Sequence, residues 1–192
     1  MSPVNSQLKR ISEELTSIEF LFSSDETLPY GSDYTEDLFF PPAAVCFPKS
    51  TLEVSQILTL CNSMGVPVYT RGAGTGLSGA CLPVKDGLVL STKKLNRIID
   101  MDPQNLTATI ESGVINAHLK RAVEELGLYY PPDPASQGSC SIGGNLAHGA
   151  GGPRAVKYGI TRDYVLNLEV VLPTGESTEV GPGTYEFKAI LG

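Results

Sequence analysis

The chain has 192 residues, enough for one ordinary domain or two small lobes with a buried core. Its 21 acidic and 14 basic residues give a formal net charge of -7, which argues against a nucleic-acid-binding surface because such surfaces need clustered Lys and Arg. The sequence has no apolar run near the roughly 18 residues of a membrane span and no secretion-signal pattern, so we expect a cytoplasmic protein without a transmembrane segment.

The cysteines and histidines predict no metal site. The four cysteines are widely separated and form no CxxC pair, and the chain has only two histidines. Neither a zinc site nor a redox dithiol is therefore expected.

The N-terminal part of the chain is predicted to be a helix followed by an irregular connector. Apolar residues from Leu8 to Phe22 recur at spacings of three and four, which predicts an amphipathic helix over residues 7–21. Residues 23–42 are rich in Ser, Asp, Pro and Gly, which is typical of a connector. Residues 1–42 are accordingly assigned to a helix and connector that precede the main domain.

A β-α-β unit is predicted next. Ser50 and Glu53 match a capping box, which marks the start of a helix. The predicted elements are a strand at 43–47, a helix from 51 to about 64, and strands at 66–70, 88–92 and 107–112. Residues 43–112 are therefore expected to form a first lobe.

The second predicted strand, residues 66–70, leads into a glycine-rich segment, residues 71–79, which reads Arg-Gly-Ala-Gly-Thr-Gly-Leu-Ser-Gly. Glycine permits positive φ and lacks the Cβ that would hold a ligand away, so consecutive N–H groups in such a loop can converge on an anion. Arg71 and the hydroxyl groups of Thr75 and Ser78 add further donors. We call residues 71–79 the phosphate loop.

The phosphate loop has three other possible interpretations: a Rossmann dinucleotide site, a nucleoside-triphosphate P-loop and a surface loop without a ligand. Gly74, Gly76 and Gly79 satisfy GxGxxG, and Asp100 follows at about the distance of a ribose-binding acid in a Rossmann fold. A Rossmann loop must open into a helix, however, and residues 82–91 contain Pro, Asp-Gly and a β-like run instead. The glycines are not followed by Lys-Ser or Lys-Thr, so a nucleoside-triphosphate P-loop is excluded as a motif. A surface loop without a ligand is the other alternative.

The second half of the chain is predicted to form another α+β lobe, residues 113–192. Its elements are a helix over 116–126 that ends at Gly127, a stiff proline-rich connector at 129–134, and a hairpin of strands 165–172 and 176–180. Between the connector and the hairpin lies a second glycine-rich stretch, residues 142–152.

Four segments resemble a known family when they are taken together and in order. They are the phosphate loop, Pro-Pro-Asp-Pro-Ala-Ser at 131–136, Ser-Ile-Gly-Gly-Asn at 141–145, and Gly-Gly-Pro-Arg-Ala-Val-Lys-Tyr-Gly at 151–159. They resemble the FAD-linked oxidases of the vanillyl-alcohol oxidase superfamily, and in particular the glycolate oxidase FAD subunit and the D-lactate dehydrogenases. The resemblance covers residues from about 42 to 176 and implies an α+β fold, the two-lobed PCMH-type FAD-binding domain.

The resemblance also implies a cofactor site. The phosphate loop would wrap the FAD pyrophosphate, residues 132–141 would follow the ribityl chain and isoalloxazine, and residues 149–152 with Ile160 would lie toward the adenine. The implied cofactor-binding residues are Arg71, Gly72, Ala73, Gly74, Thr75, Gly76, Leu77, Ser78, Pro132, Asp133, Ser136, Ser139, Ser141, Gly143, Gly144, Asn145, Gly149, Gly151 and Ile160. Noncovalent FAD is expected because the phosphate loop contains no histidine. His148 departs from the family pattern and is expected to be a polar lining or surface residue.

The implied reaction is oxidation of a small 2-hydroxy acid such as glycolate or D-lactate, with hydride passing to the flavin. In the family the catalytic base and substrate-binding groups belong largely to a cap domain and later segments, so no catalytic residue is named here. The family domain continues beyond residue 176 into a further glycine-rich stretch that is missing here, so a truncated chain is expected, completed by a C-terminal half or a partner subunit. The alternative is a noncatalytic flavin-binding or assembly module.

Overall fold

A four-stranded sheet forms the core of the computed structural model, which describes residues 3–181. Its strands are β1 (Glu19–Leu21), β2 (Ala44–Phe47), β3 (Val68–Arg71) and β4 (Leu88–Ser91), in the order β1-β2-β4-β3. β4 runs parallel to both β2 and β3, whereas β1 is antiparallel to β2. All residues of β2 and β4 are buried, as is usual for central parallel strands covered on both faces.

Two helices cover one face of this sheet. Leu8 and Ile11 of α1 (Pro3–Glu14) pack in the same cluster as Ile57 and Cys61 of α3 (Thr51–Met64), and all four side chains are buried. α3 is the longest helix in residues 3–181, with 14 residues, and no described helix is long and apolar enough to cross a membrane.

The predicted helix over residues 7–21 is wrong beyond Glu14. The chain turns after α1, buries Ile18, and then continues as β1, which pairs with β2. Phe20 and Phe22 pack against the same cluster as α1, because alternate residues of a strand share one face. The apolar spacing was therefore correct about burial and wrong about the backbone that achieves it.

The β-α-β prediction is confirmed. Ser50 caps α3 by accepting a hydrogen bond from the Glu53 N–H at 3.2 Å, and the Glu53 carboxylate accepts one from the Lys49 N–H at 2.6 Å. Gly65 ends the helix in the left-handed conformation with φ of 66°. The unit delivers the phosphate loop at the carboxyl end of β3.

Two antiparallel hairpins complete the strands. β5 (Ile98–Asp102), which was not predicted, pairs with β6 (Thr107–Ile110), and β7 (Leu168–Val171) pairs with β8 (Ser177–Val180) as expected. The turn of the second hairpin packs directly on α3, since a Cβ on Gly175 would collide with the Thr59 hydroxyl.

The remaining helices are α2 (Ser24–Thr27), α4 (Asn116–Glu124), α5 (Ile142–His148) and α6 (Ala155–Tyr158). α4 was predicted, and Gly127 follows it with φ of 72°. α5 forms within the second glycine-rich stretch and α6 follows it, and neither helix was predicted. The domain boundaries at residues 42 and 112 stay predictions, and residues 182–192 of the predicted second lobe lie outside the described residues.

Candidate functional site

The phosphate loop leaves β3 without entering a helix. Residues 72–87 contain no helical turn, so the loop-to-helix geometry of a Rossmann site is absent there. Gly74 and Gly79 adopt left-handed conformations with φ of 71° and 66°. These two positions need glycine because L side chains rarely adopt that backbone geometry.

The main-chain N–H groups of residues 73–78 have no acceptor in the described part of the chain. In residues 3–181, none of them donates a hydrogen bond to a backbone or side-chain atom. The Gly76 carbonyl, by contrast, accepts from the Tyr34 N–H at 3.1 Å, and the Gly79 N–H donates to Asp33 and Thr35. The loop is thus held at the Gly76 carbonyl and at the Gly79 N–H, while the N–H groups of residues 73–78 have no acceptor in the described residues.

Arg71 is buried beneath this run, with 7% of its surface exposed. Its guanidinium donates to the Cys81 Sγ at 3.3 Å and the Pro29 carbonyl at 3.4 Å, and it lies over the Tyr30 ring. A Cβ on Gly74 would collide with the same guanidinium. In the described part of the chain no carboxylate lies within ion-pair distance of Arg71, so its charge contributes a positive potential beneath the loop.

The second glycine-rich stretch begins with α5, which is anchored by its own backbone. Ser141 caps the helix by accepting from the Gly144 N–H at 3.3 Å, and the Gly143 N–H donates to the Ser112 carbonyl at 2.8 Å. A Cβ on Gly143 would lie 2.7 Å from the Ser112 Cβ. Gly143 and Gly144 therefore serve close packing, and their N–H groups already have protein acceptors.

Asn145 belongs to a buried amide pair. Its Nδ2 donates to the Oδ1 of Asn116 at 3.1 Å, and the Nδ2 of Asn116 donates to the Pro132 carbonyl at 3.5 Å. Asn116 is fully buried at the start of α4 and was missed by the sequence analysis. The only signal for it in the sequence was a polar residue at the start of a predicted helix, at a position that faces the core. Through this pair, α4 fixes both α5 and the proline-rich connector.

The two glycine-rich segments meet directly. A Cβ on Gly72 would lie less than 3.0 Å from the Ser141 Oγ, and a Cβ on Gly76 would lie 3.2 Å from the His148 ring. His148 is exposed at the end of α5, so its ring lies over the phosphate loop at the surface. The structure thus brings residues 71–79 and 141–148 into contact, and we call the surface along which they meet the groove.

Asp133 lies in the connector between two cations. Its carboxylate is 2.6 Å from the Lys120 Nζ and 3.3 Å from the Arg154 Nε. The hydrogen bond from Lys120, together with the charges of both cations, lowers the pKa of the Asp133 carboxyl below its usual range. The Asp133 N–H also donates to the Gly151 carbonyl at 2.9 Å. Asp133 therefore joins the connector to α4 and to the second glycine-rich stretch.

The other predicted site residues lie around this groove with different exposures. Ala73, Leu77, Ser78 and Ser139 are exposed, whereas Pro132 and Gly151 are buried. The Ser139 hydroxyl donates to the Ser136 carbonyl at 3.2 Å in a turn before α5. A Cβ on Gly151 would lie 2.8 Å from the Ile160 Cγ2, and Gly149 has φ of 62° beside the same side chain. These residues form the far end of the groove.

Among known protein families, a family model described as an FAD binding domain matches residues 42–181. The chain belongs to this family of FAD-binding domains. The α+β fold of the PCMH type and the FAD cofactor of the family, both implied by the sequence motifs, are thereby confirmed.

Two curated relatives of this FAD-binding domain are informative. The glycolate oxidase subunit GlcD of Bacillus subtilis is 44% identical over 177 residues, which cover 90% of this chain and 38% of that protein. A D-lactate dehydrogenase of Anaerostipes hadrus is 42% identical over 160 residues, covering 83% of this chain and 32% of that protein. The chain thus spans about a third of the length of these two curated relatives.

A solved structure gives the same fold at low sequence identity. Alkyldihydroxyacetonephosphate synthase superposes with a TM-score of 0.84 over 96% of this chain and 40% of that protein, at 22% identity. At this identity the likeness concerns the fold alone.

Proposed function

We propose that the chain binds FAD noncovalently in the groove between residues 71–79 and 141–152, as the flavin-binding part of an enzyme that oxidises a small 2-hydroxy acid. FAD, when bound, supplies the hydride acceptor for such a reaction. The chain's own residues bind and orient the cofactor. A cytoplasmic location is part of the same proposal.

The proposal rests mainly on the main-chain N–H groups of residues 73–78, none of which donates a hydrogen bond to an acceptor within residues 3–181. Such a run above a buried Arg71 fits a diphosphate, because consecutive amides and a nearby cation stabilise an anion without any side chain in the way. The glycines at 72, 74 and 76 keep the approach open.

The second half of the site positions the cofactor. Asn116 and Asn145 hold α5 against the connector, so the groove wall opposite the phosphate loop has a fixed orientation. Asp133, bound to Lys120 and Arg154, fixes the connector that would follow the flavin ring. Noncovalent attachment is proposed because residues 72–80, which include most of the phosphate loop, contain neither His nor Cys.

The substrate class comes from the relatives. Glycolate and D-lactate, the compounds in the names of the two relatives above, are both 2-hydroxy acids. No catalytic base is assigned to residues 3–181, because the family resemblance places the base largely in a cap domain and later segments. Substrate oxidation is therefore proposed for a complete enzyme that contains this domain together with further segments or a partner.

A second candidate, the alternative from the sequence analysis, is a noncatalytic flavin-binding or assembly module. Reconstitution separates the two candidates. FAD is added to the purified chain, unbound flavin is removed by desalting, and glycolate or D-lactate is then added under anaerobic conditions. Retained flavin that bleaches supports the enzyme, and retained flavin that does not bleach supports the module. No retained flavin overturns both.

A further inference from the structure

Residues 31–40 form a closed loop beside the phosphate loop. The Phe40 N–H donates to the Gly31 carbonyl at 2.8 Å, so the two ends of the segment meet. We call residues 31–40 the clamp loop. It precedes residue 42, where the match to the FAD-binding family begins, so the family assignment gives it no role.

The clamp loop holds the phosphate loop at two points. The Gly79 N–H donates to the Asp33 Oδ2 at 3.1 Å and to the Thr35 Oγ1 at 2.8 Å. The Tyr34 N–H donates to the Gly76 carbonyl at 3.1 Å. Within the clamp loop, the Thr35 N–H donates to the Asp33 Oδ1 at 2.8 Å, which orients the carboxylate toward Gly79.

These contacts give the Gly79 N–H an acceptor, whereas the N–H groups of residues 73–78 have none in the described residues. Gly79 is in the left-handed conformation, and its N–H is directed away from the amides of residues 73–78 into the clamp loop. Because the Gly76 carbonyl is also engaged, the segment from Gly76 to Gly79 is restrained at both ends, and residues 73–75 lie between that segment and β3. Restraint of a loop in its binding conformation improves affinity by lowering the ordering cost on binding.

The Asp33 carboxylate lies close to the buried cation. Its Oδ2 is 3.9 Å from the Cys81 Sγ, and Arg71 donates to that sulfur from 3.3 Å. Burial raises the pKa of the Cys81 thiol, so the sulfur is neutral between the two charges. Arg71 therefore offsets the repulsion that a carboxylate would otherwise exert on an anion bound at residues 73–78.

We propose that Asp33 is a positioning residue for the phosphate loop, which it acts on by accepting the Gly79 N–H. The proposal rests on the FAD-binding function proposed above and deepens it. Its specific content is that the hydrogen bond matters and the negative charge does not. An amide at position 33 removes the charge and keeps one oxygen that can still accept from the Gly79 N–H, although the Thr35 N–H then loses its acceptor, whereas alanine removes both acceptors.

The test compares three variants of the full chain. Asp33→Ala is expected to weaken FAD binding about tenfold, as loss of one restraining hydrogen bond of about 1–2 kcal/mol predicts. Asp33→Asn is expected to bind within about threefold of the unchanged chain, which is rescue by the conservative variant. Glu36→Ala is the matched control, because it removes an exposed carboxylate from the same clamp loop.

A second measurement is independent of FAD. In the FAD-free chain, amide hydrogen exchange at Gly79 is expected to accelerate in Asp33→Ala and to stay unchanged in Glu36→Ala. Equal FAD affinity of Asp33→Ala and the unchanged chain overturns the inference while the proposed function stands, as does an Asp33→Asn variant as weak as Asp33→Ala. If the unchanged chain binds no FAD, the proposed function fails, and unchanged exchange at Gly79 then overturns the positioning role separately.

Discussion

The Ser141 hydroxyl oxygen lies where a side chain on Gly72 would begin. One residue starts the phosphate loop after β3, and the other caps α5, some seventy residues later in the chain. Their contact joins the parallel sheet of the first half to the helix that begins the second glycine-rich stretch. The groove proposed for FAD depends on this approach, because it sets the separation of the two walls.

Gly72→Ala should therefore disturb both stability and FAD binding. The new methyl group would meet the Ser141 Oγ at less than 3.0 Å, and overpacking of this kind costs about 1–3 kcal/mol. Ser141→Ala in the same chain removes that oxygen, so the double variant should be more stable than the sum of the single effects predicts. Urea unfolding of all three variants measures the coupling.

Gly138→Ala is the control for this cycle, since a Cβ there meets nothing within 4 Å. Strictly additive effects of Gly72→Ala and Ser141→Ala would show that the two residues do not approach each other as described.

Gly74→Ala and Gly127→Ala form a matched pair. Both glycines have positive φ, 71° and 72°, so alanine costs each about 1 kcal/mol of backbone strain. Only at Gly74 would the methyl group also collide with the Arg71 guanidinium. Thermal unfolding should show a loss for both variants, and FAD titration should show a loss for Gly74→Ala alone. Equal FAD affinities in the two variants would contradict the placement of Arg71 beneath the loop.

Asn116→Ala should be strongly destabilising although Asn116 is remote from the phosphate loop. It removes the acceptor of the Asn145 Nδ2 and leaves a buried amide unpaired, which costs about 1–3 kcal/mol. Asn62→Ala, an exposed change on α3, should alter the free energy of unfolding by less than about 0.5 kcal/mol. Chemical denaturation measures both, and similar values for the two variants would argue against the buried amide pair.

The Asp133 cluster makes a prediction about pH. Since the pKa of this carboxyl is lowered in the folded chain, its contribution to stability is present above the unfolded value of about 4 and is lost as pH falls through the folded value. Asp133→Asn should therefore be less stable than the unchanged chain at pH 7, and the difference should shrink below about pH 4. Asp100→Asn, on exposed β5, serves as the control. A difference that does not depend on pH would contradict the ion pairs with Lys120 and Arg154.

The sequence predicted those parts of the fold that local chemistry specifies. The capping box of Ser50 and Glu53 is a strong signal, and the helix predicted from residue 51 to about residue 64 agrees with the observed bounds of α3. Residues 19–21 were misassigned because a helix and an edge strand can bury the same apolar side chains, and only pairing with β2 decides between them. α5 was missed because adjacent glycines disfavour a helix, whereas the Ser141 cap and the anchoring of Gly143 to Ser112 stabilise this one.

The candidate site was predictable in outline and not in detail. The glycine pattern identified the phosphate loop, since positive φ and close approach are local requirements. Gly79 is 46 residues from Asp33 and Asn145 is 29 residues from Asn116 in the chain, and sequence spacing carries no information about such contacts. Gly143, Gly144 and Asn145 were predicted together as site residues. Only the fold shows which of their polar groups already have protein partners.

Amide hydrogen exchange of residues 73–78, measured with and without saturating FAD, tests the central claim most directly. These N–H groups have no protein acceptor in the described structure, so they should exchange rapidly in the free chain. If they bind the FAD diphosphate, exchange at several of them should slow by at least about tenfold on addition of FAD, with no such change in the exposed β5–β6 turn. Exchange that stays fast across residues 73–78 while FAD is demonstrably bound would contradict the account.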